Sequence, residues 1–326
     1  MKVLMSPTPA QLERLEGANR DIPRWFAAPL AAAAGGKCCF TRSLPAILMA
    51  GRSGGRVEPA LVFNVESLEA TLALLPLRLR LCSLYQWRPP EQLSAIKRFI
   101  YHRLLKKSTV IATYSKITQA ELERRFAGKA VRWIGLFTDT EFFDPAKSQS
   151  AREPYLLCPG DHRRIEPVVS FVARELRMRV VRFSSGPETA KFYAKNPNPF
   201  VECLSGIPFS KVRDIYGSAR VVLNAADDRF WPIGITTFCE ALAMNRPVVT
   251  SAGHSCSGYE FEDGYKPYQT IQNCFDQEEW LKAVKIALAN TEPWAKGRSP
   301  RDLALRSCSF DATMTGWKAI LELLDR

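Results

Sequence analysis

The chain has 326 residues, 46% hydrophobic and 24% charged, with a formal net charge of +12. That length exceeds what one core usually supports, and the ordinary apolar content with well-mixed charges excludes a long disordered tract. No apolar run approaches the roughly 20 residues of a membrane crossing, and no signal-peptide pattern is present, so a cytoplasmic protein is expected. Nine cysteines, odd in number and without a Cys-x-x-Cys pair, read as free thiols in a reducing compartment. Three scattered histidines, and an Asp227-Asp228 pair that is not Asp-x-Asp, give no metal site.

In chain order, residues 3–6, 38–41, 60–63, 79–82, 110–113 and 131–134 read as short strands with helical stretches between them. Residues 87–107 are expected to form a proline-started helix. Leu93, Ile96, Ile100 and Leu104 line one side of it, with Lys97, Arg98, Arg103, Lys106 and Lys107 around the rest. Residues 1–150 carry 22 Lys and Arg against 12 Asp and Glu, whereas residues 151–326 carry 23 against 21. The basic excess therefore belongs to the first half. Such a helix can lie on an anionic membrane surface, with 91–107 as the docking segment of a peripheral protein, or it can pack on a core behind a solvated basic face.

In the second half the strands are expected near 155–158, 179–183, 199–203, 220–224 and 247–250, separated by helices such as 208–216. Regular alternation of strand and helix implies an α/β protein with doubly wound parallel sheets, that is, two Rossmann-like domains facing a cleft. The polar stretch after residue 144 places the boundary between 1–146 and 147–307.

Residues 214–264 are the most informative. The β-branched run Val221 to Asn224 ends in a loop closed by Pro232, and Gly234 then permits close approach of a ligand to the backbone. The following helix starts with free amides at Ile235, Thr236 and Thr237, which with the helix dipole attract phosphate. Glu240, one turn after Thr236, can accept hydrogen bonds from sugar hydroxyls. Asn245 stands where a left-handed cap is expected, before the strand at 247–250.

This run resembles the donor-binding half of the GT-B glycosyltransferases of the large retaining group 1 family, with its Ala-containing strand, Gly-rich turn, Glu-Ala-Leu-Ala and Pro-Val-Val. Residues 108–115 resemble that family's strand and serine before the last helix of its N-terminal domain, and 136–145 its interdomain segment. The likeness covers about 105–325, whereas residues 1–100 carry almost no signature. It implies a GT-B fold whose closing helix, with Met314, Trp317, Ile320, Leu323 and Leu324 on one face, crosses back so that 308–326 joins the first domain. Two departures bear on the site. The first of the family's two spaced glutamates falls on Pro232, leaving that role vacant or moved to Asp227 or Asp228. The basic residues after the first C-terminal strand are Arg163 and Arg164, following Gly160, out of the standard spacing. Arginine suits diphosphate, and positive charge at a helix start opposes the dipole unless an anion is bound.

The expected reaction is transfer of a glycosyl group, hexosyl or similar, from a nucleoside diphosphate sugar to a hydroxyl of a saccharide or lipid-linked saccharide in surface polysaccharide synthesis, with no metal or other cofactor. Donor contacts fall to Gly160, Arg163, Arg164, Asp228, Gly234, Ile235, Thr236, Thr237 and Glu240, and retention is implied by the resemblance alone. The catalytic candidates are Glu240 and Glu66; an inverting enzyme would need a base, for which Glu66 is the candidate. Asn64, Gln86 and Arg88 follow strand ends and are candidate acceptor contacts. Three alternatives stay open: a nucleotide-sugar epimerase, a DNA-modifying glycosyltransferase, and an inactive member acting as a binding partner. Nucleic acid is disfavoured because no recognition motif accompanies the charge.

Overall fold

A computed structural model describes residues 3–5, 14, 21–24, 27–35, 38–40, 60–64, 80–85, 94–149, 153–184, 186–290 and 294–325. The chain divides into two units, Met1–Ala18, Arg24–Phe137 and Phe310–Arg326 in one, Asn19–Pro23 and Thr138–Ser309 in the other. The chain leaves the first unit after Phe137, ahead of the expected 146/147, because the residues that follow are tied into the second. Asp139 Oδ1 accepts from the amides of Glu141 and Phe142, and Arg301 donates to the carbonyls of Thr140 and Phe143.

In the first unit β1 (Val3–Met5), β2 (Cys38–Phe40), β3 (Ala60–Asn64), β4 (Arg80–Leu84), β5 (Val110–Thr113) and β6 (Ala130–Trp133) form one parallel sheet in the order β2-β1-β3-β4-β5-β6. Its helices include α1 (Ala28–Ala33), α2 (Ala95–Lys107) and α3 (Lys116–Arg125). The Ser94 and Ser115 hydroxyls accept from the Lys97 and Thr118 amides and so cap α2 and α3. Thus α2 begins at Ala95, and its buried side is Tyr101, Leu104 and Leu105; the prolines at which the helix is expected to start lie outside the described residues. Ile96, expected on the apolar side, is 74% exposed and Phe99 is 61% exposed, because only the C-terminal half of α2 packs on the sheet. Leu93 lies outside the described residues.

The second unit has β7 (Tyr155–Pro159), β8 (Val180–Phe183), β9 (Val201–Leu204), β10 (Ala219–Asn224), β11 (Val248–Ser251) and β12 (Gln269–Ile271), all parallel, in the order β12-β11-β10-β7-β8-β9. The helices are α4 (Glu166–Leu176), α5 (Pro187–Lys195), α6 (Phe209–Ser218), α7 (Ile235–Ala243), α8 (Gln277–Ala289) and α9 (Pro300–Ser307). From β7 the chain steps outward to β9, then returns through α6 to lay β10 beside β7 and winds the other way. The strand order therefore reverses between β7 and β10, which is where an open parallel sheet presents its ligand crevice. Val168, Val169 and Val172 of α4 and Trp280 and Val284 of α8 pack on Leu156, Val180, Val221, Leu223 and Val249 of one sheet face.

The last helix, α10 (Phe310–Asp325), belongs to the first unit, where it packs on α1 and against β4 and β5. Trp317, Ile320, Leu321 and Leu324 are its buried apolar stripe. The returning helix expected from the sequence is thus present. Among the described residues no helix is long and apolar enough to cross a membrane.

Candidate anion site at the switch point

The site is assembled from the two loops that leave β7 and β10 at their carboxyl ends. They hydrogen-bond to each other: Arg164 and Ala226 form an antiparallel bridge, the Ile165 amide donates to the Ala225 carbonyl at 2.9 Å, and the Asp227 amide donates to the Arg163 carbonyl at 3.1 Å. Backbone pairing fixes the first loop against the second, so Arg164 points across the switch point to the start of α7.

Arg164 is held by three acceptors. Its Nε donates to the Pro159 carbonyl at 2.7 Å, Nη1 to Asn224 Oδ1 at 3.2 Å and Nη2 to Thr237 Oγ1 at 2.8 Å. Two glycines make room for it. Gly160 (φ +97°) and Gly234 (φ +84°) both adopt a backbone that disfavours a side chain, and a Cβ on either would collide with the Arg164 guanidinium. Gly234 is also the N-cap of α7, and among the described residues nothing accepts from the amides of Ile235, Thr236 and Thr237. A cation therefore stands at the positive end of a helix dipole, and among the described residues Arg164 has no carboxylate within ion-pair distance. Burial lowers its pKa, so its surroundings disfavour the charge that it carries. An anion at this point would be favoured by the guanidinium, the dipole and the three amides together.

Glu240 sits partly buried on α7, and its Oε2 accepts from the Tyr216 hydroxyl at 2.8 Å. Tyr216, from α6, is buried, and burial first and the Glu240 charge second push its pKa well up, so it stays a hydrogen-bond donor. The helix ends as expected from Asn245. That residue is left-handed (φ +54°), its amide donates to the Leu242 carbonyl, and the Arg246 amide donates to Ala241.

Asp228, expected beside the donor, instead has both oxygens engaged by the protein. Oδ1 accepts from Ser251 Oγ at 2.5 Å, and Oδ2 accepts from the Ser255 amide at 2.9 Å and its hydroxyl at 2.6 Å. Burial raises its pKa and these donors pull it back. The carboxylate thereby braces the loop after β10 against the loop after β11. A Cβ on Gly253 would strike it.

Asp227 has a different role from its neighbour. Its Oδ2 accepts from Arg163 Nη2 at 2.7 Å and its Oδ1 from Arg229 Nε at 2.8 Å. The hydrogen bond from Arg229, and then the Arg163 charge, hold its pKa below the ordinary carboxylate value despite burial. Arg163 is left-handed (φ +47°) and lies over the Trp231 ring at 4.9 Å.

The structure thus brings together Gly160, Arg164, Gly234, Ile235, Thr236 and Thr237 at one helix start, with Glu240 farther along that helix and Arg163 beside Arg164. Asn64 closes β3 in the first unit, while Glu66, Gln86 and Arg88 lie outside the described residues. Sequence reasoning missed Asn224, Tyr216 and Arg229. Asn224 left a signal, being a polar residue that closes the apolar buried run Val221, Val222 and Leu223. Among the described residues no three His, Cys, Asp or Glu side chains converge to hold a metal.

No family model matches the sequence. No curated protein matches it. In structure the chain is similar to the sucrose-phosphate synthase of Thermosynechococcus elongatus, with a TM-score of 0.69 and 16% identity over 86% of this chain and 78% of that one. It is similar to HepE of Anabaena in complex with UDP and glucose, with a TM-score of 0.66 and 12% identity over 99% of each chain. A glycosyltransferase of Rickettsia africae gives a TM-score of 0.64 and 10% identity over 99% of this chain and 97% of that one. At these identities the likeness establishes the fold, two Rossmann-like α/β units of the GT-B type.

Proposed function

We propose that the chain is a glycosyltransferase that moves a sugar, with retention at the anomeric carbon, from a nucleoside diphosphate donor to a hydroxyl of a saccharide or lipid-linked saccharide. The observation that carries this reading is Arg164: a guanidinium with no carboxylate partner among the described residues, placed at a helix start whose amides are open. A leaving diphosphate needs its growing charge stabilised, and fixed donors aimed at that charge do so without reorganising. Arg164 and the amides of Ile235 to Thr237 take that role, with Gly160 and Gly234 giving the backbone clearance. Glu240, oriented by Tyr216, holds the ribose or sugar hydroxyls. HepE was solved with UDP and glucose, which supports a nucleoside diphosphate sugar as ligand for this shared fold.

A thermal-shift series with UDP, GDP, ADP and their sugars tests this reading, since a ligand that binds only the folded state raises the melting temperature. A rise with at least one nucleoside diphosphate, lost in Arg164→Met, is expected. No shift with any of them sinks the proposal. Binding without turnover of any donor would instead favour an inactive partner, the reading that Pro232 in place of the first glutamate makes specific.

A peripheral position on an anionic membrane, in the synthesis of a surface polysaccharide, is part of the same proposal. In its support, α2 carries Lys97, Arg98, Arg103, Lys106 and Lys107 with no acidic residue, and leaves Ile96 and Phe99 exposed. Cations that attract lipid phosphates and apolar side chains that enter the interface are the two parts of such docking. Co-sedimentation with anionic but not zwitterionic vesicles, weakened by salt, is the expected result. Equal behaviour with both vesicle types removes the membrane from the proposal.

A further inference from the structure

The geometry points to a second anion site beside the first: we propose that Arg163 and Arg229, braced by Asp227, bind the carboxylate of an acidic donor sugar. This rests on the reading that a nucleoside diphosphate sugar lies at the start of α7, and adds the charge class of the sugar. Three observations carry it.

The first is a charge imbalance that is fixed in place. The Asp227 side chain is only 7% exposed and serves two guanidiniums at once, Arg163 through Nη2 and Arg229 through Nε and Nη2. Those two side chains are 43% and 53% exposed, so one buried carboxylate presents a pair of outward-facing cations. Their sum is one positive charge.

The second is that both guanidinium planes are held from a second side. Arg163 lies over the Trp231 ring at 4.9 Å, and Arg229 lies 5.3 Å from the Phe230 ring and 4.8 Å from the Phe275 ring. Phe230 and Phe275 are themselves 41% and 48% exposed. An arginine fixed by a carboxylate and an aromatic face loses little freedom on meeting a ligand, which raises the affinity of its remaining N–H groups.

The third is what the loop lacks. A neutral sugar is recognised by a mixture of donors and acceptors, because each hydroxyl is both. In residues 226–233 the acceptor oxygens of Asp227 and Asp228 are already taken by Arg163, Arg229, Ser251 and Ser255. The other side chains there are Ala226, Phe230, Trp231, Pro232 and Ile233, so Arg229 supplies the polar ligand-facing groups, and arginine only donates. A carboxylate only accepts, and matches that surface. Arg163 is adjacent in sequence to Arg164, so the second charge falls next to the proposed diphosphate.

Titration calorimetry on the full chain tests this with UDP, GDP, and two matched pairs: UDP-glucose against UDP-glucuronate, and GDP-mannose against GDP-mannuronate. The acidic member of at least one pair is expected to bind ten times or more tighter than the neutral one. In Arg229→Met that ratio is expected to fall to within about twofold while the affinity for the bare nucleoside diphosphate is kept. Neutral sugars that bind as well as or better than acidic ones overturn the proposal and leave the donor reading standing, as does an acid preference that survives in Arg229→Met. No binding of UDP or GDP, bare or sugar-linked, overturns this proposal, and the donor reading falls with it when ADP and ADP-sugars also fail to bind. The wild-type ratio is decisive even if Arg229→Met fails to fold.

Discussion

Arg164 and His254 show how a single side chain can carry a cost that only its function, or only its packing, accounts for. The Arg164 charge opposes the α7 dipole and is disfavoured by burial, while its three hydrogen bonds offset part of that penalty. Replacing it by Met gives up those bonds but relieves the opposition. We therefore expect Arg164→Met to lower ligand-free stability by no more than about 1 kcal/mol, yet to weaken nucleoside diphosphate binding by about 10- to 100-fold, the scale of a charge-assisted hydrogen bond. Urea melts beside calorimetric binding separate the two, and a large loss of stability with unchanged affinity would make Arg164 a strut. His254 is the opposite case. It is buried, and burial lowers its pKa to about 4 although it hydrogen-bonds the Arg229 carbonyl. The unfolded chain takes up that proton near pH 6.5 and the folded chain only near pH 4, so stability is full above pH 6.5 and is lost as pH falls through that window. The loss is on the order of 3 kcal/mol. Melts of the wild type and of His254→Asn between pH 7 and pH 4 check this: the wild type is expected to fall more steeply, and parallel curves would exclude His254 as the cause.

At the scale of elements, the strands buried on both faces were legible because β-branched and other apolar residues fill most of such positions. Accordingly β7, β10 and β11 stand where the sequence places them. The edge strand β12 (Gln269–Ile271) escaped, since three residues with one buried side chain leave no pattern to read. On α2 the apolar period ran past the point where the helix leaves the sheet, and periodicity alone does not mark that point. Gly234, the amides after it and Asn245 were legible because each answers a local backbone demand. Tyr216 and Arg229 were not, for the partner of one lies on a later helix and the use of the other depends on how the β7 and β10 loops meet. The link from α6 to α7 through Tyr216 and Glu240 yields a further expectation. Tyr216→Phe removes the donor to Glu240 Oε2 while keeping the ring that meets Phe143 edge-on at 6.0 Å. Glu240 then loses its orientation, and KM for the donor is expected to rise several-fold with kcat little changed, as for an interaction shared by ground and transition state. An equal fall in kcat at constant KM would place Glu240 in the chemical step instead.

For the whole molecule, the last helix belongs to the first unit although the chain reaches it only after completing the second. Trp317, Ile320, Leu321 and Leu324 of α10 are buried against that unit. At about 1.5 to 3 kcal/mol for each large apolar side chain, their burial is worth roughly 6 to 12 kcal/mol. That is comparable with the total of about 5 to 15 kcal/mol that keeps a domain folded. The second unit has its own core, from Leu156 and Val221 to Trp280, and α10 is not part of it. Ending the chain after Ser309 is therefore expected to unfold the first unit and to spare the second. In calorimetry the truncated chain should show one transition, still raised by the nucleoside diphosphate that stabilises the full chain, and early proteolysis should fall within residues 24–137. Loss of both transitions would mean that the second unit needs the first in order to fold. Retention of both would mean that α10 contributes far less than its buried side chains imply.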